Sequence, residues 1–423
     1  MTARPLRILQ VNTFHSIGGA AQTARSLFEK YRDRGHESWL AVGHDGSDEE
    51  NVITIPQPGE GRLRRTVGKA VDFQLGIEDF RFPGTWQLLD LVPRMPDILH
   101  IHNLHGGYFD LRALADFSRR VPTVLTLHDA WLLSGHCAHS LECERWRIGC
   151  GHCPDLTLDP PVKRDATAYN WRRKHQIFEA STLHVASPSR WLLNKAGASM
   201  LATGTKEARV LPNGVDLSVF QPGDKQAVRA SLGLPAASKV VLFAGHALET
   251  NMWKDFETVR SAVALTSAQL RDQSLVFVAL GQEGAASEDR QPEIRSVPYQ
   301  ADPHVVAGYY QAADVYMHAA FADTFPYTVI EALACGTPVV GTAVGGIPEQ
   351  VDDGETGFLV PGGDADAMAA RTAQLLADDQ LQLQMSSRAA EVARQRFDIE
   401  RQVDEYLDWY GELAAQHMPS AIA

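Results

Sequence analysis

Short apolar runs that stop at turn residues, each followed by a stretch with helical spacing, set the rhythm of this chain. RILQVN (7–12) is β-rich, and GGAAQTARSLFEKYRDRGHES then places Leu27, Phe28 and Tyr31 on one helix face. The same order returns at WLAVG (39–43), ILHIH (98–102), TVLTLHD (123–129), HVASPS (184–189) and ARVLPNG (208–214). It restarts at KVVLFAGHA (239–247) and continues through SLVFVALG (274–281), ADVYMHAA (313–320) and TPVVGTAVGG (337–346). Apolar strands alternating with helices belong to parallel sheets covered on both faces. The pattern predicts an α/β protein with two doubly wound parallel sheets. Residues 214–238, with Pro222, Gly223, Gly233 and Pro235, read as the joint between the halves. Residues 365–396 and 398–415 read as two long helices, the second with Val403, Tyr406, Leu407, Tyr410 and Leu413 on one apolar side. Residues 44–95 are less regular and carry aromatics such as Phe73, Phe80, Phe82 and Trp86, either as a substrate loop or as surface elaboration.

A length of 423 residues fits two or three domains. With 44% hydrophobic and 22% charged residues the composition is that of a folded globular chain, which excludes wholesale disorder. Its longer apolar stretches, such as VPTVLTLHDAWLL, are interrupted by polar residues short of the roughly 20 needed to span a bilayer. The start, MTARPLRILQVNTF, runs straight into a strand with no apolar leader, so the expected location is the cytoplasm. A net charge of -13 argues against a nucleic-acid partner, whose phosphates require basic surface. The charge is uneven: residues 1–200 hold 24 Lys and Arg against 22 Asp and Glu, whereas residues 201–423 hold 15 against 30. Two basic clusters stand out in the first half, Arg62, Arg64, Arg65 and Lys69, then Lys163, Arg164, Arg172, Arg173 and Lys174. They read as solvated helix faces or as contacts to an anionic lipid surface at the inner membrane face or a pyrophosphate.

The chemistry concentrates at turns where strands end. Gly18-Gly19 and Gly245-His246 put bare N–H groups there, and such turns suit anions. Lys254 follows the second turn and can neutralise a diphosphate, or can be an ordinary helix-start lysine. In FADTFPYTVIEALACGTPVVGTAVGGIPEQV (321–351), Asp323 and Glu331 are separated by seven residues. That spacing sets the first in the loop before a helix and the second inside the helix. Glu331 can then accept two ribose hydroxyl bonds and Asp323 can hold sugar hydroxyls, while the N–H groups of Thr324 and Phe325 point at a phosphate.

This Asp-x7-Glu segment, its ALACGTPVVGTAVGGIPE run and LPNGVDLSVFQP (211–222) resemble the retaining glycosyltransferases of family 4, which have the GT-B fold. HIHNLHGGYFDL (100–111) and TLHDAWLLSGHC (126–137) are similar to the bacterial exopolysaccharide and colanic-acid-type members. The resemblance implies an N-terminal acceptor domain over 1–215, a C-terminal nucleotide-sugar domain over 216–397 and a last helix, 398–423, returning to the first domain. It implies transfer of a sugar from a UDP- or GDP-sugar to a hydroxyl of a saccharide or lipid-linked acceptor in cell-surface polysaccharide synthesis. Retention of configuration and chemistry without a metal or other cofactor are part of the same implication, by a front-face displacement. Carried over residue by residue, Glu331 binds the ribose, Asp323 the donor sugar and Lys254 the diphosphate. His128 sits at the donor sugar, Gly19 approaches the phosphate, and the backbone near Val297 and Pro298 meets the base. The chain departs from the family at Asp323, where Glu is usual, at His246, where Arg is usual, and at Asp255, where Gly is usual. A non-catalytic nucleotide-sugar-binding scaffold is one alternative; it would be expected to have lost Lys254 and both carboxylates. A nucleotide-sugar epimerase or hydrolase of the same fold is another, expected to lack LPNGVD and the Asp-x7-Glu helix.

Four of the five cysteines fall within 17 residues, as Cys137-x5-Cys143-x6-Cys150-x2-Cys153. In a cytoplasmic chain this grouping predicts first a structural zinc site, with His136, His139 or His152 able to replace one thiolate. Disulfide or redox pairing and unligated thiols are the alternatives. Cys335 stands apart and reads as core.

Overall fold

The computed structural model describes residues 4–56, 70–71, 73–78, 82–270, 273–284 and 292–417; Arg62, Arg64, Arg65, Lys69 and Phe80 lie outside the described residues. The chain forms two units, Met1–Leu211 with Val403–Ala423, and Pro212–Gln402. The sequence reading sets its boundaries after residues 215 and 397.

Unit 1 holds seven parallel strands: β1 (Arg7–Phe14), β2 (Glu37–His44), β3 (Val52–Thr54), β4 (Ile98–Ile101), β5 (Thr123–Thr126), β6 (Leu183–Ser187) and β7 (Thr205–Val210). Their order is β3-β2-β1-β4-β5-β6-β7. The helices between them are α1 (Gly19–Asp33), α2 (Ala113–Arg120), α3 (Thr167–Glu179) and α4 (Arg190–Gly197). Unit 2 opens with α5 (Lys225–Ser231), inside the expected joint. It holds six parallel strands: β8 (Lys239–Ala244), β9 (Leu275–Leu280), β10 (Glu293–Val297), β11 (Val315–His318), β12 (Val339–Thr342) and β13 (Gly357–Val360). Their order is β10-β9-β8-β11-β12-β13. Its other helices are α6 (Phe256–Gln269), α7 (Pro303–Ala312), α8 (Tyr327–Ala334), α9 (Ala365–Ala377) and α10 (Asp379–Arg396). Both sheets are thus all-parallel and doubly wound, as the strand grammar predicts. Along β8 the side chains alternate between two cores: Val240, Leu242 and Ala244 enter one, Val241 and Phe243 the other. That is why the strand reads as one apolar run.

Two details differ from the sequence reading. The short edge strands β3 and β10 carry too few apolar positions to announce themselves, and β13 is apolar but only four residues long. The expected helix over 365–396 breaks at Asp378, which leaves helical geometry and caps α10 by accepting hydrogen bonds from the Gln380 and Leu381 N–H groups at 3.1 and 3.0 Å.

The last helix, α11 (Ile399–His417), enters unit 1 from Val403 onward. Val403, Tyr406, Trp409, Tyr410 and Leu413 are buried there, whereas Leu407 is only half-buried. Tyr406 Oη lies 2.8 Å from Thr126 Oγ1 and Tyr410 Oη 2.6 Å from His100 Nδ1, so the buried hydroxyls find partners at strand ends. Among the described residues no helix is long and apolar enough to cross a membrane.

Candidate active site

In a doubly wound sheet, ligands collect at the carboxyl ends of the strands where the strand order reverses. In unit 2 that point lies between β8 and β11. Their register sets Val315 beside Val241 and Tyr316 beside Leu242, so the two strands finish together at Ala244 and His318. The loops leaving this edge are clipped to each other. Lys254 and Ala320 form an isolated antiparallel bridge, the Phe321 N–H donates to the Trp253 carbonyl at 2.9 Å, and the Asp255 N–H donates to the Ala319 carbonyl at 3.1 Å. Two residues far apart in sequence therefore meet. Lys254 Nζ donates to Asp323 Oδ2 at 2.8 Å, and their side chains are 11% and 20% exposed, enough for a ligand to reach both. Burial alone would raise the Asp323 carboxyl, but the Lys254 ammonium holds it far below the usual carboxylate range. Asp255, where the resemblance expects Gly, caps α6: its carboxylate accepts from the Thr258 N–H at 3.1 Å and the Thr258 hydroxyl at 2.6 Å.

The carboxylate loop runs into α8, whose first residues follow Pro326 with no side-chain cap. Unpaired N–H groups at such a helix start attract anions. Thr324 is buried, and its hydroxyl lacks a hydrogen-bond partner among the described residues. Gly345 packs beneath: with φ at +57°, a Cβ there would lie 1.8 Å from the Asp323 carbonyl oxygen, so only glycine lets the two turns approach. Further along α8, Glu331 is buried and accepts from the fully buried Tyr310 hydroxyl at 3.0 Å. Phe325 is buried edge-on against Phe397.

The remaining unit 2 residues are placed less tightly. Gly245 leaves β8 with its N–H on the Leu280 carbonyl at 3.0 Å, and His246 beyond it is exposed, with its ring perpendicular to that of Tyr299. Val297 ends β10, and its carbonyl accepts from both Gly281 and Gln282 at 2.8 and 3.1 Å. Both lone pairs of that oxygen are engaged within the fold.

In unit 1 the order reverses between β1 and β4. Gly18, with φ at +89°, begins α1 without a side-chain cap, and Gly19 is the first helical residue. His128 follows β5. Its Nε2 lies 3.0 Å from His102 Nδ1 and the rings stack, while His102 Nε2 lies 3.0 Å from Gln10 Oε1. Burial lowers His128 to about 4, against the opposing pull of Asp129, so the imidazole is neutral at neutral pH. Asp129 itself accepts from the Trp131 N–H at 2.8 Å and stands 3.0 Å from His105 Nε2.

Lys174 does not belong to a basic surface. It is fully buried, with Nζ donating to Glu78 at 3.0 Å and to the carbonyls of Trp131 and Ser134 at 2.9 and 3.1 Å, and it lies 3.6 Å from the Trp131 ring centroid. A buried ammonium persists only with such partners. It ties the irregular segment carrying Glu78 to the loop after His128. Lys163, Arg164 and Arg172 are exposed.

Cys137, Cys143, Cys150 and Cys153 are free thiols that border one small pocket together with His136 and Trp146. His136 Nε2 lies 3.4 Å from Cys153 Sγ, and the Gly135 N–H donates to Cys150 Sγ at 3.3 Å. As they stand, no group of three His, Cys, Asp or Glu side chains among the described residues is placed to hold a metal ion. The expected zinc ligands are thus brought together without forming a coordination shell. Burial raises the Cys150 thiol to about 12, which keeps it protonated. Cys335 is buried on the α8 side of the unit 2 core, as expected.

The sequence reading passed over His318 and Tyr310. His318 did carry a signal, a lone histidine closing an otherwise apolar strand.

Two doubly wound parallel sheets are also the architecture of a solved protein similar in fold over nearly its whole length, Anabaena Alr3699/HepE in complex with UDP and glucose. The TM-score is 0.67 at 19% identity, covering 96% of this chain and 100% of that one. The fold is that of the GT-B glycosyltransferases. In sequence, the family described as Glycosyltransferase Family 4 matches residues 17–219, and Glycosyl transferases group 1 matches residues 224–392. The chain belongs to this glycosyltransferase family. It is 27% identical over 353 residues to WcaC of Escherichia coli (strain K12), a glycosyl transferase whose name assigns it to colanic acid biosynthesis, covering 80% of this chain and 83% of the relative. It is 32% identical over 309 residues to the D-inositol 3-phosphate glycosyltransferase of Mycolicibacterium vanbaalenii, covering 67% of this chain and 62% of that protein.

Proposed function

We propose that the chain is a retaining glycosyltransferase that moves a sugar from a UDP- or GDP-sugar to a hydroxyl of a saccharide or lipid-linked acceptor in cell-surface polysaccharide synthesis. The observation that carries this reading is the grouping, at the switch point of unit 2, of Lys254, Asp323, the uncapped start of α8 and the buried Glu331. The likeness to a UDP-bound neighbour in fold and to a colanic acid relative in sequence supports it and favours UDP among the donors. In the proposed site Glu331 takes the ribose hydroxyls and Asp323 a donor-sugar hydroxyl. Lys254, Gly245, His246 and the N–H groups of Thr324 and Phe325 take the diphosphate and the segment at Val297 meets the base; a phosphate contact for Gly18 and Gly19 rests on the family resemblance alone. The contact of His128, a neutral imidazole, with a hydroxyl of the donor sugar rests on that resemblance as well.

The chemistry is a front-face displacement. The acceptor oxygen bonds to the anomeric carbon as the bond from that carbon to the diphosphate oxygen breaks on the same face, and the departing nucleoside diphosphate carries away the acceptor proton. Lys254 and the α8 N–H groups stabilise charge developing on the diphosphate, the role that preorganised dipoles fill best, and this reading assigns no step to a metal. A lipid-linked acceptor at an anionic membrane surface rests on the exposed Lys163, Arg164 and Arg172, now without Lys174; co-sedimentation with anionic vesicles at low salt tests it.

The transferase reading is tested by incubating the protein with UDP- and GDP-sugars and oligosaccharide or lipid-linked acceptors, then reading the anomeric coupling of the product by proton NMR. An inverted product removes the retaining mechanism, and the absence of both nucleotide binding and transfer removes the enzyme reading.

A further inference from the structure

His318 is fully buried at the end of β11 and has no part in the donor contacts assigned above. Its Nε2 lies 3.2 Å from Lys254 Nζ, its Nδ1 lies 3.0 Å from Tyr316 Oη, and Tyr316 Oη lies 3.4 Å from the Ala244 carbonyl oxygen. The two ends of this chain of contacts have fixed roles, because an ammonium only donates and a carbonyl only accepts. Two N–H groups do not face each other at such a distance, so Nε2 carries the lone pair that receives a Lys254 proton. The ring proton therefore sits on Nδ1 and goes to Tyr316 Oη, which passes its own to Ala244. Asp323 Oδ2, at 3.5 Å from Nε2, and Thr328 Oγ1, at 3.5 Å from Nδ1, stand farther from the ring nitrogens than Lys254 and Tyr316 do. Burial first, and the Lys254 ammonium second, lower His318 to about 4, so the ring is a neutral acceptor throughout the neutral range.

We infer that His318 is a positioning residue which, with Asp323, fixes two of the three Lys254 ammonium protons and aims the third at the ligand. A lysine head on a four-carbon stem otherwise sweeps a wide volume around a single carboxylate. A rigid strand end is a better anchor than a loop for this purpose, and the tautomer is set from beneath by Tyr316. His318 touches no ligand; it acts through Lys254. The catalytic consequence rests on the transferase reading, whereas the geometric claim stands without it.

The test uses His318→Leu, His318→Gln and Tyr316→Phe, each checked for wild-type melting. Glutamine places a carbonyl oxygen where Nε2 was, so it preserves the acceptor. The first readout needs no turnover: reaction of the Lys254 amine with acetic anhydride, followed by mass spectrometry on the ligand-free chain. Reactivity of Lys254 rises several-fold in His318→Leu, rises less in Tyr316→Phe and stays near wild type in His318→Gln. The second readout is kcat/KM for the nucleotide sugar, which falls about ten-fold in His318→Leu and recovers to within about three-fold in His318→Gln, the scale of one hydrogen bond to a charged group. Unchanged Lys254 reactivity in His318→Leu and Tyr316→Phe overturns the positioning role, as does a glutamine variant as impaired as the leucine one. Reactivity that responds as expected in a protein that consumes no nucleotide sugar leaves the positioning intact and removes the transferase reading instead.

Discussion

Glu331 is the residue at which a binding role and a structural role separate most cleanly. The fully buried Tyr310 hydroxyl donates to it at 3.0 Å, so Glu331→Ala strands a buried donor and costs about 1–3 kcal/mol of stability. Glu331→Gln keeps an oxygen for Tyr310 and nearly the same volume. That one oxygen is neutral and already holds Tyr310, and the amide end offers the ribose N–H donors where the carboxylate had a second charged oxygen. Both variants should therefore lose two charge-assisted bonds to a ribose, about 3 kcal/mol together or about a hundred-fold in Kd. With nucleotide at about 100 times the wild-type Kd, mass action stabilises the wild type by about 2.7 kcal/mol and the variants by about 0.4 kcal/mol. At about 2–4 °C per kcal/mol, that is a shift of about 5–10 °C against about 1 °C. Differential scanning fluorimetry with UDP, GDP and ADP reads both quantities. We expect Glu331→Ala to melt below Glu331→Gln without ligand, and both to lack the nucleotide shift. A full nucleotide shift in Glu331→Gln would refute the reasoning, leaving Glu331 as no more than the partner of Tyr310.

Other outcomes follow from the same geometry. Lys254→Ala leaves the Asp323 carboxylate without its cation and should destabilise by about 3 kcal/mol, part of which returns in the double variant Lys254→Ala/Asp323→Asn; equal melting of the single and double variants would contradict the pairing. The folded pKa values of His128 and His318 are lowered to about 4, so between about 6.5 and 4 the unfolded chain binds protons that the folded one does not. Stability should fall as pH drops through that window, by up to about 3 kcal/mol per histidine, and urea titrations of His318→Gln should show a shallower fall. Gly345→Ala forces a Cβ onto the Asp323 carbonyl and should lower the melting temperature and abolish the nucleotide shift together; a normal shift would show that the loop tolerates displacement. Because the four clustered thiols form no three-ligand group as placed, prolonged treatment with a strong chelator should leave melting unchanged, and a clear drop would mean that the thiols close on a metal.

Much of the fold and part of the site are legible in the chain itself. The strands β8, β9, β11 and β12 are short apolar runs because both of their faces are covered, and their length and the turn residues that bound them mark them as strands. The short edge strands β3 and β10 had no such signature, and in β13 the apolar run is too short to stand out. Asp323 and Glu331 were found because their spacing is local, fixed by a loop entering a helix. Asp255 was read as a departure from a ligand-binding pattern, whereas its carboxylate ends up capping α6, a role visible only once the helix start is located. Lys174 looked like one of a basic surface cluster, since charge composition carries no information about which member of a cluster turns inward.

The sequence by itself determined the alternation of strand and helix, the doubling of the sheet and the turn chemistry at strand ends, because each depends on neighbours within a few residues. Only the tertiary structure decided what those ends do together. The register that sets Tyr316 beside Leu242 brings residues 254, 318 and 323 into one cluster. The same dependence on packing gathers four thiols around a cavity and buries Lys174 against Trp131. Pairings across tens of residues are settled by sheet register and burial, and neither leaves a mark at the positions it joins.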